Sequence, residues 1–415
     1  MKNCERHITV EAALDKITQT LAIENLVVDF DAFGDQVKTY QYYLSKPDTK
    51  QRFVGCGKGI GLQSQVSAAF EAFEHYAGFM SVRKLYEAGA LTYCSLSELP
   101  NWEYYVEKHI LPAHMFKAPY RDQKTYWARY QHCTDAKQSL LFPVFLQEPR
   151  YLHTVLPEEQ LDFQSLSWLA SDNGTASGTH FDETVIHGLN EVIERDAMGL
   201  FFIDAFLRKT PKVRMIDAQS LPATLQKLYH AAEQEAHSRL RIFDITSDVG
   251  VPVICVSALD YKAPISVKGF GASLNPAYAI ERALLEVLQP IHIRTPKLTQ
   301  DENQTIEKLA QWPLLQRAAI GDLKPMVDQH YVQTVAYDDF ARSQVGSSLS
   351  LVAQSNKIQQ QLTAVGLTPY ILPIYQNDLG VTCTRFLVPG VEAFYLICTG
   401  KQILPGPRGQ QRLRV

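Results

Sequence analysis

Residues 171–196 read SDNGTASGTHFDETVIHGLNEVIERD. The first ten positions, Ser171 to His180, are small, polar and glycine-bearing, which predicts a loop. Residues 182–208 carry apolar side chains at helical spacing and predict one long helix, with Thr179 or Asp182 available as its cap. Glu191 and Glu194 stand three apart on that helix and so share a face. With Val192 and Ile193 between them, the pair lies at the border of a buried surface. Two carboxylates are costly there unless a cation neutralises them.

The arrangement recurs twice. Residues 62–83 predict a helix from Val66, Ala69, Phe70, Phe73, Ala77 and Met80, and it bears Glu71 and Glu74 three apart. Residues 276–292 predict a third helix, opening on Pro276 and bearing Glu286 and Gln289. Carboxylate oxygens suit magnesium, which takes a few of them together with nucleotide phosphates, the usual support for phosphoryl transfer. An isolated ExxE pair is more often a solvated surface feature, and spacing alone does not bring three helices together. On the residues, a shared cation site and separate structural pairs both stay open.

Around these helices the chain reads as mixed. Asn25–Phe33 and Thr39–Leu44 have strand composition after an N-terminal helix. Leu140–Leu146 is a candidate buried strand, and 240–246 and 252–259 are two strands joined by a turn with Asp248 and Gly250. Val381–Val388 and Phe394–Cys398 read as late strands around Pro389-Gly390, while 100–135 is aromatic and hard to assign. Long helices with strands that do not strictly alternate predict an α+β (mixed α/β) architecture. No linker-like stretch divides the chain.

Other chemistries find no foothold. There is no GxxxxGK[ST] loop, no GxSxG elbow and no HExxH helix. The turn GCGKGIG at 55–61 carries Lys58 but fits no phosphate-loop spacing, and reads as structural. His75 and His187 fall on the site helices, where a lone histidine is usually a packing residue. The seven cysteines, Cys4, Cys56, Cys94, Cys133, Cys255, Cys383 and Cys398, include no CxxC pair and are expected to be reduced thiols. A formal net charge of -4 gives no reason to expect nucleic acid or a membrane surface as a partner. No apolar run approaches a membrane span, and the N-terminus lacks a signal peptide's apolar run; a cytoplasmic protein is expected. The basic cluster Arg408, Arg412 and Arg414 reads as a solvated tail.

Three segments, in order, resemble the YcaO family. Its SxxxExxER motif after a GKG-like turn is matched by Lys58-Gly59, Ser67, Glu71 and Glu74, with His75 where arginine is usual. Its SNGxASG loop and following ExxxxxxxExxERD helix are matched by SDNGTASG, Glu183, Glu191, Glu194, Arg195 and Asp196. Its RAxxExxQ motif is matched by Arg282, Glu286 and Gln289. FDITSDVGVPV (243–253) and RFLVPGVEAF (385–394) resemble further family segments.

The resemblance implies a YcaO-like fold with a magnesium–ATP site lined by glutamates from three helices. In it Glu71, Glu74, Glu191, Glu194 and Glu286 would hold magnesium, directly or through water. Lys58, Ser67, Glu183, Asn190, Arg195, Arg282 and Gln289 would contact the nucleotide, and Glu191, Glu194 and Arg282 would be catalytic. It also implies activation of a peptide backbone amide by phosphorylation. The commonest outcome is closure of a Cys, Ser or Thr onto that amide to give a thiazoline or oxazoline in a ribosomally made precursor peptide. Relatives make thioamides or macrocyclic amidines, and a non-catalytic nucleotide-binding scaffold is the alternative from another class. The expected layout is an N-terminal segment (1–50) packed on a YcaO domain (51–400), with a tail (401–415). The expected partners are the precursor, a separate leader-binding protein and a second copy of the chain in a larger complex. The ending PGPRGQQRLRV departs from the proline-rich carboxy terminus of azoline-forming relatives.

Overall fold

A computed structural model describes residues 5–47, 51–166, 170–208, 213–342 and 349–414, so Cys4 lies outside the described residues. The strands are β1 (Val27–Phe33), β2 (Lys38–Ser45), β3 (Arg52–Gly59), β4 (Thr92–Cys94), β5 (Thr125–His132), β6 (Ser139–Pro143), β7 (Thr175–Gly178), β8 (Val213–Ile216), β9 (Leu240–Asp244), β10 (Val253–Ala258), β11 (Lys268–Ala272), β12 (Val332–Val335), β13 (Tyr370–Gln376) and β14 (Thr382–Leu387). They form three sheets, ordered β1-β2-β3, β4-β5-β13-β14-β7 with β6 also on β5, and β11-β10-β9-β8-β12. Pairing is antiparallel except between β8 and β12. The helices that organise the site are α1 (Val10–Ile23), α2 (Leu62–Glu87), α3 (Phe181–Phe202), α4 (Ala223–Ala236), α5 (Pro276–Glu286), α6 (Leu351–Ala364) and α7 (Pro407–Arg414).

The mixed α/β architecture expected from the sequence is present. α3 is the central element: it packs on β7, β14, β10, β11 and α6, and most of its residues are buried. α2 lies on β3 and α5 on β11, each over a glycine-bearing strand. A Cβ at Gly57 would stand 2.0 Å from the Ser64 carbonyl, and one at Gly269 would stand 2.1 Å from the Val287 nitrogen. Larger residues would lift both helices off their sheets. Caps start the helices where the sequence supplies them: Asn275 Oδ1 accepts from the Ala277 amide at 3.0 Å at the head of α5, and Thr9 caps α1.

Several expectations are corrected. The loop at 171–180 is partly ordered as β7, an edge strand on β14. His180, neither Thr179 nor Asp182, caps α3, its side chain accepting from the Asp182 amide. α3 does not continue to 208 as an α-helix; residues 203–207 widen into a π-turn. The third helix breaks after Glu286, and 289–292 form a separate short piece. Pro290 has no N–H to give the Glu286 carbonyl. Strand β6 stops at Pro143, and 144–146 turn into a 3₁₀ helix. Residues 394–399 are also 3₁₀, not a strand, with Phe394 and Ile397 buried one turn apart.

The tail is corrected most. Residues 407–414 form α7, docked on the π-turn. Arg408 donates Nε and Nη2 to Asp196, both at 2.9 Å, and also reaches Asp248. Asp196 is 1% exposed and needs a cation. Glu392 accepts from the amides of Phe394, Gly406 and Gly409 and ties the segment down. Among the described residues, no helix is long and apolar enough to cross a membrane.

The aromatic stretch 100–135 builds a second core around Trp127, Tyr105 and Tyr126. At its rim Glu159 Oε1 accepts from the hydroxyls of Tyr151 and Thr125. Burial pushes this carboxyl up from 4.5 to about 7. Between those two values the folded state holds more protons than the unfolded chain, so stability falls as pH rises through that window. Glu159→Gln is expected to match the native urea midpoint at pH 5 and exceed it at pH 8. Equal midpoints at both would refute this.

Candidate active site

The first contact between the motif segments is an ion pair. Lys58, at the end of β3, donates Nζ to Glu286 Oε2 of α5 at 2.7 Å, joining residues 228 positions apart. The GCGKG stretch, read as a turn, is the end of strand β3 and has two parts: its glycines let α2 approach, and its lysine reaches across to the third motif.

The remaining carboxylates converge on the same region. Glu71 lies near Lys58, His75 and Glu286. Glu74 lies near Glu71 and Glu191, and Glu194 near Glu286, Arg195 and Arg282. The three helices thus link all five glutamates in one electrostatic network, each acting on at least one other. Burial raises Glu71 and Glu194 and pushes Glu74 well above its ordinary range. It pushes Glu191 up to about 8, with Asp172, Glu194 and Glu71 adding repulsion against the pull of Arg195. Glu286 goes the other way: burial would raise it, but Lys58, Arg195 and Arg282 together hold it below the usual carboxylate range. Glu194 is buried and Glu71, Glu74 and Glu191 are half-buried, and all four are held above the usual carboxylate range by desolvation and one another.

Around this cluster, buried polar atoms lack partners among the described residues. They include both amide atoms of Asn190, Nε of Arg282, Oε1 of Gln289 and Oδ1 of Asn173. Buried polar groups in folded proteins are nearly always hydrogen-bonded. Asn190 adjoins Glu191 in the chain and Arg282 lies near Glu194, so these two orphaned side chains stand beside the glutamates. Among the described residues, no group of three His, Cys, Asp or Glu could hold a metal ion.

The other expected residues are placed as follows. Ser67 is half-buried on α2, four residues before Glu71. Arg195 lies among Glu194, Glu191 and Glu286 and over the Tyr395 ring. Glu183 is turned to the 171–180 segment: Oε2 accepts from the Thr179 amide at 2.8 Å and its hydroxyl at 3.0 Å, and Oε1 from the His7 amide. Glu74 is also part of the frame, accepting from the amide and hydroxyl of Ser177. His75 joins Val54 O (2.6 Å) to Asp172, 3.4 Å from its other nitrogen, so it links β3 to the 171–180 segment where arginine was expected.

Sequence reading missed several neighbours. Asp172 acts electrostatically on Glu191, and Tyr395 on Arg195. Glu5 lies near Arg282 and bonds Ser273. Burial, then Arg282, Arg6 and Lys58, press His187 well below its ordinary value and keep it neutral. Asp172 had a signal as part of SDNG, and His187 was placed on a site helix and read as a packing residue; residues 5 and 6 belong to no motif.

A family model described as YcaO cyclodehydratase, ATP- and Mg2+-binding, matches residues 56–392. An uncharacterised protein of Methanothermobacter thermautotrophicus is 30% identical over 236 residues, 54% of this chain and 56% of that protein. The chain thus spans about half the length of this curated relative. Among solved structures, YcaO from Methanopyrus kandleri bound with AMPPCP and Mg2+ superposes with a TM-score of 0.63 at 20% identity, covering 94% of this chain and 93% of that one. A heterocyclase in complex with substrate and cofactor gives 0.64 at 18% identity, covering 94% of this chain and 54% of that one. At such identities these two likenesses speak to the fold.

Proposed function

This chain belongs to the YcaO family, and on that premise we propose that it binds ATP with magnesium and activates a peptide backbone amide by phosphorylation. The observation that carries the reading is the five-glutamate cluster beside the orphaned Asn190, Arg282 and Gln289. An anion held with divalent cations would supply what both sets lack. Glu71, Glu74, Glu191, Glu194 and Glu286 would hold magnesium, directly or through water. Lys58, Ser67, Glu183, Asn190, Arg195, Arg282 and Gln289 would hold the nucleotide.

ATP supplies the γ-phosphoryl group that converts an amide oxygen into a leaving group. The chain's part is positioning and charge. Arg195 and Arg282, enclosed among carboxylates, stay cationic and face negative charge that grows during transfer. Glu286, already ionised beside Lys58, presents a fixed oxygen ligand without waiting for deprotonation. No side chain need act as nucleophile, because a Cys, Ser or Thr of the peptide attacks the activated carbon.

The substrate on this reading is a ribosomally made precursor peptide, presented by a separate leader-binding protein, and the product is an azoline. Incubated with both and Mg–ATP, the enzyme is expected to remove one water per ring, read by mass spectrometry. Exchange of oxygen for sulfur would redirect the assignment to thioamide formation, and tandem fragmentation would separate an azoline from an amidine macrocycle. ATP turnover with an unchanged peptide mass would sink the amide-activation reading.

A further inference from the structure

A cavity of about 690 Å³ lies apart from the glutamate cluster, where the π-turn after α3, the β12-β8-β9 face and α7 meet. Its volume is that of a ligand pocket. Leu200, Phe201, Val213 and Ile245 give it an apolar floor. Gln333, Arg214 and Asp244 stand in register across three neighbouring strands and line it together.

The charges are arranged asymmetrically. Asp244, only 3% exposed, holds Arg214, which is 48% exposed. Asp204, 12% exposed, holds Arg412, which is 37% exposed. Asp244 and Asp204 are anchors behind the wall, a third carboxylate, Asp248, is 54% exposed beside Arg408, and Arg214 and Arg412 are the guanidiniums a ligand meets. Among the described residues, Arg214 and Arg412 each engage their aspartate through Nη1 alone. A guanidinium carries five N–H donors, so both keep donors unused. Cationic forks over an apolar floor complement a chain of acidic and apolar side chains.

We infer that this cavity is a recognition cleft for an acidic–apolar peptide segment, distinct from the nucleotide site. The inference rests on the proposed peptide-modifying function and deepens it. Its place in the fold supports the link. Asp204 is ten residues beyond Glu194 along one continuous helical run, about 15 Å at 1.5 Å per residue. That distance is spanned by about four or five extended residues. That line runs along a buried helix, so a segment lodged in the cleft would bring to the phosphoryl site an amide further along the same peptide than the straight span requires.

The test is fluorescence anisotropy with a labelled peptide of about ten residues alternating glutamate and leucine, against one with lysine for glutamate. Native protein is compared with the Arg214→Gln/Arg412→Gln double variant. Both aspartates keep a partner in that variant, Asp204 through Arg208 and Asp244 through the Thr246 amide. The acidic peptide is expected to bind the native protein, and the double variant to bind it about tenfold or more weakly, with Mg–ATP affinity unchanged. Equal binding of the lysine peptide, indifference to the two substitutions, or binding of inorganic phosphate without the peptide would overturn the inference. Loss of Mg–ATP binding by the native protein would instead strike the proposed function.

Discussion

Glu191→Gln and Glu194→Gln are each expected to weaken magnesium-dependent ATP binding by about 100-fold or more in a calorimetric titration. Glutamine keeps the shape and the hydrogen-bonding reach of each side chain but removes the anionic oxygen that a hard cation needs. Glu191 acts on Glu74 and Glu71, and Glu194 on Glu286, so each missing charge is removed from among the glutamates of α2 and α5. The same substitutions should leave folding intact, because a buried carboxyl already resists ionisation there, and glutamine resembles its protonated form. Native-like melting with lost nucleotide binding is therefore the expected pair of results. Equal Mg–ATP binding in the native protein and both variants, or none in any of them, would make the ExxE helices structural and withdraw the cyclodehydratase reading.

The second large effect concerns the docked C-terminal helix. Arg408→Ala is expected to lower unfolding free energy by about 3–5 kcal/mol, because it strands Asp196 inside the protein without its cation. Burial already pushes the Asp196 carboxyl up against the pull of Arg408. The loss should therefore be smallest in acid, where Asp196 takes a proton, and grow toward neutral pH. An Asp196→Asn/Arg408→Ala double variant should recover part of the stability, since no charge is then left alone. Urea unfolding of the three proteins gives the comparison. A change below about 0.5 kcal/mol in Arg408→Ala would mean that α7 is held by Glu392, the Arg412–Asp204 pair and packing without it.

What was legible in the sequence is local. α2, α3 and the first part of α5 follow from apolar spacing, and the glutamates they carry follow from positions three apart. β9, β10 and β14 follow from short apolar runs between turns. The hidden parts depend on partners far along the chain. Arg408 reads as a solvated tail residue until Asp196, 212 positions earlier, is seen to be buried beneath it. The TASG stretch reads as loop because it becomes a strand only by pairing with residues 382–385. Phe394 and Ile397 suit a strand or a tight helix equally by composition, and the core against α3 decides. The break after Glu286 was readable in principle: Pro290 is a local signal, outweighed in the reading by the apolar pattern that crosses it. The meeting of the three glutamate helices came from resemblance, not from spacing, and the Lys58–Glu286 pair is its physical counterpart.

The sheet order β4-β5-β13-β14-β7 places the last two strands of the chain between two earlier ones. A ribosome adding about 5–20 residues per second needs on the order of ten to forty seconds to travel from β7 to β14. Through that interval the nascent chain carries two strand edges with nothing between them, and Ser177, the hydrogen-bond partner of Glu74, sits on one of those edges. Such edges invite wrong pairing between neighbouring chains. Synthesis of this protein is thus a period of exposure that ends when β13 and β14 slide into the gap. Products that stop short of residue 382 should be taken up by chaperones or proteases rather than accumulate as partial enzymes.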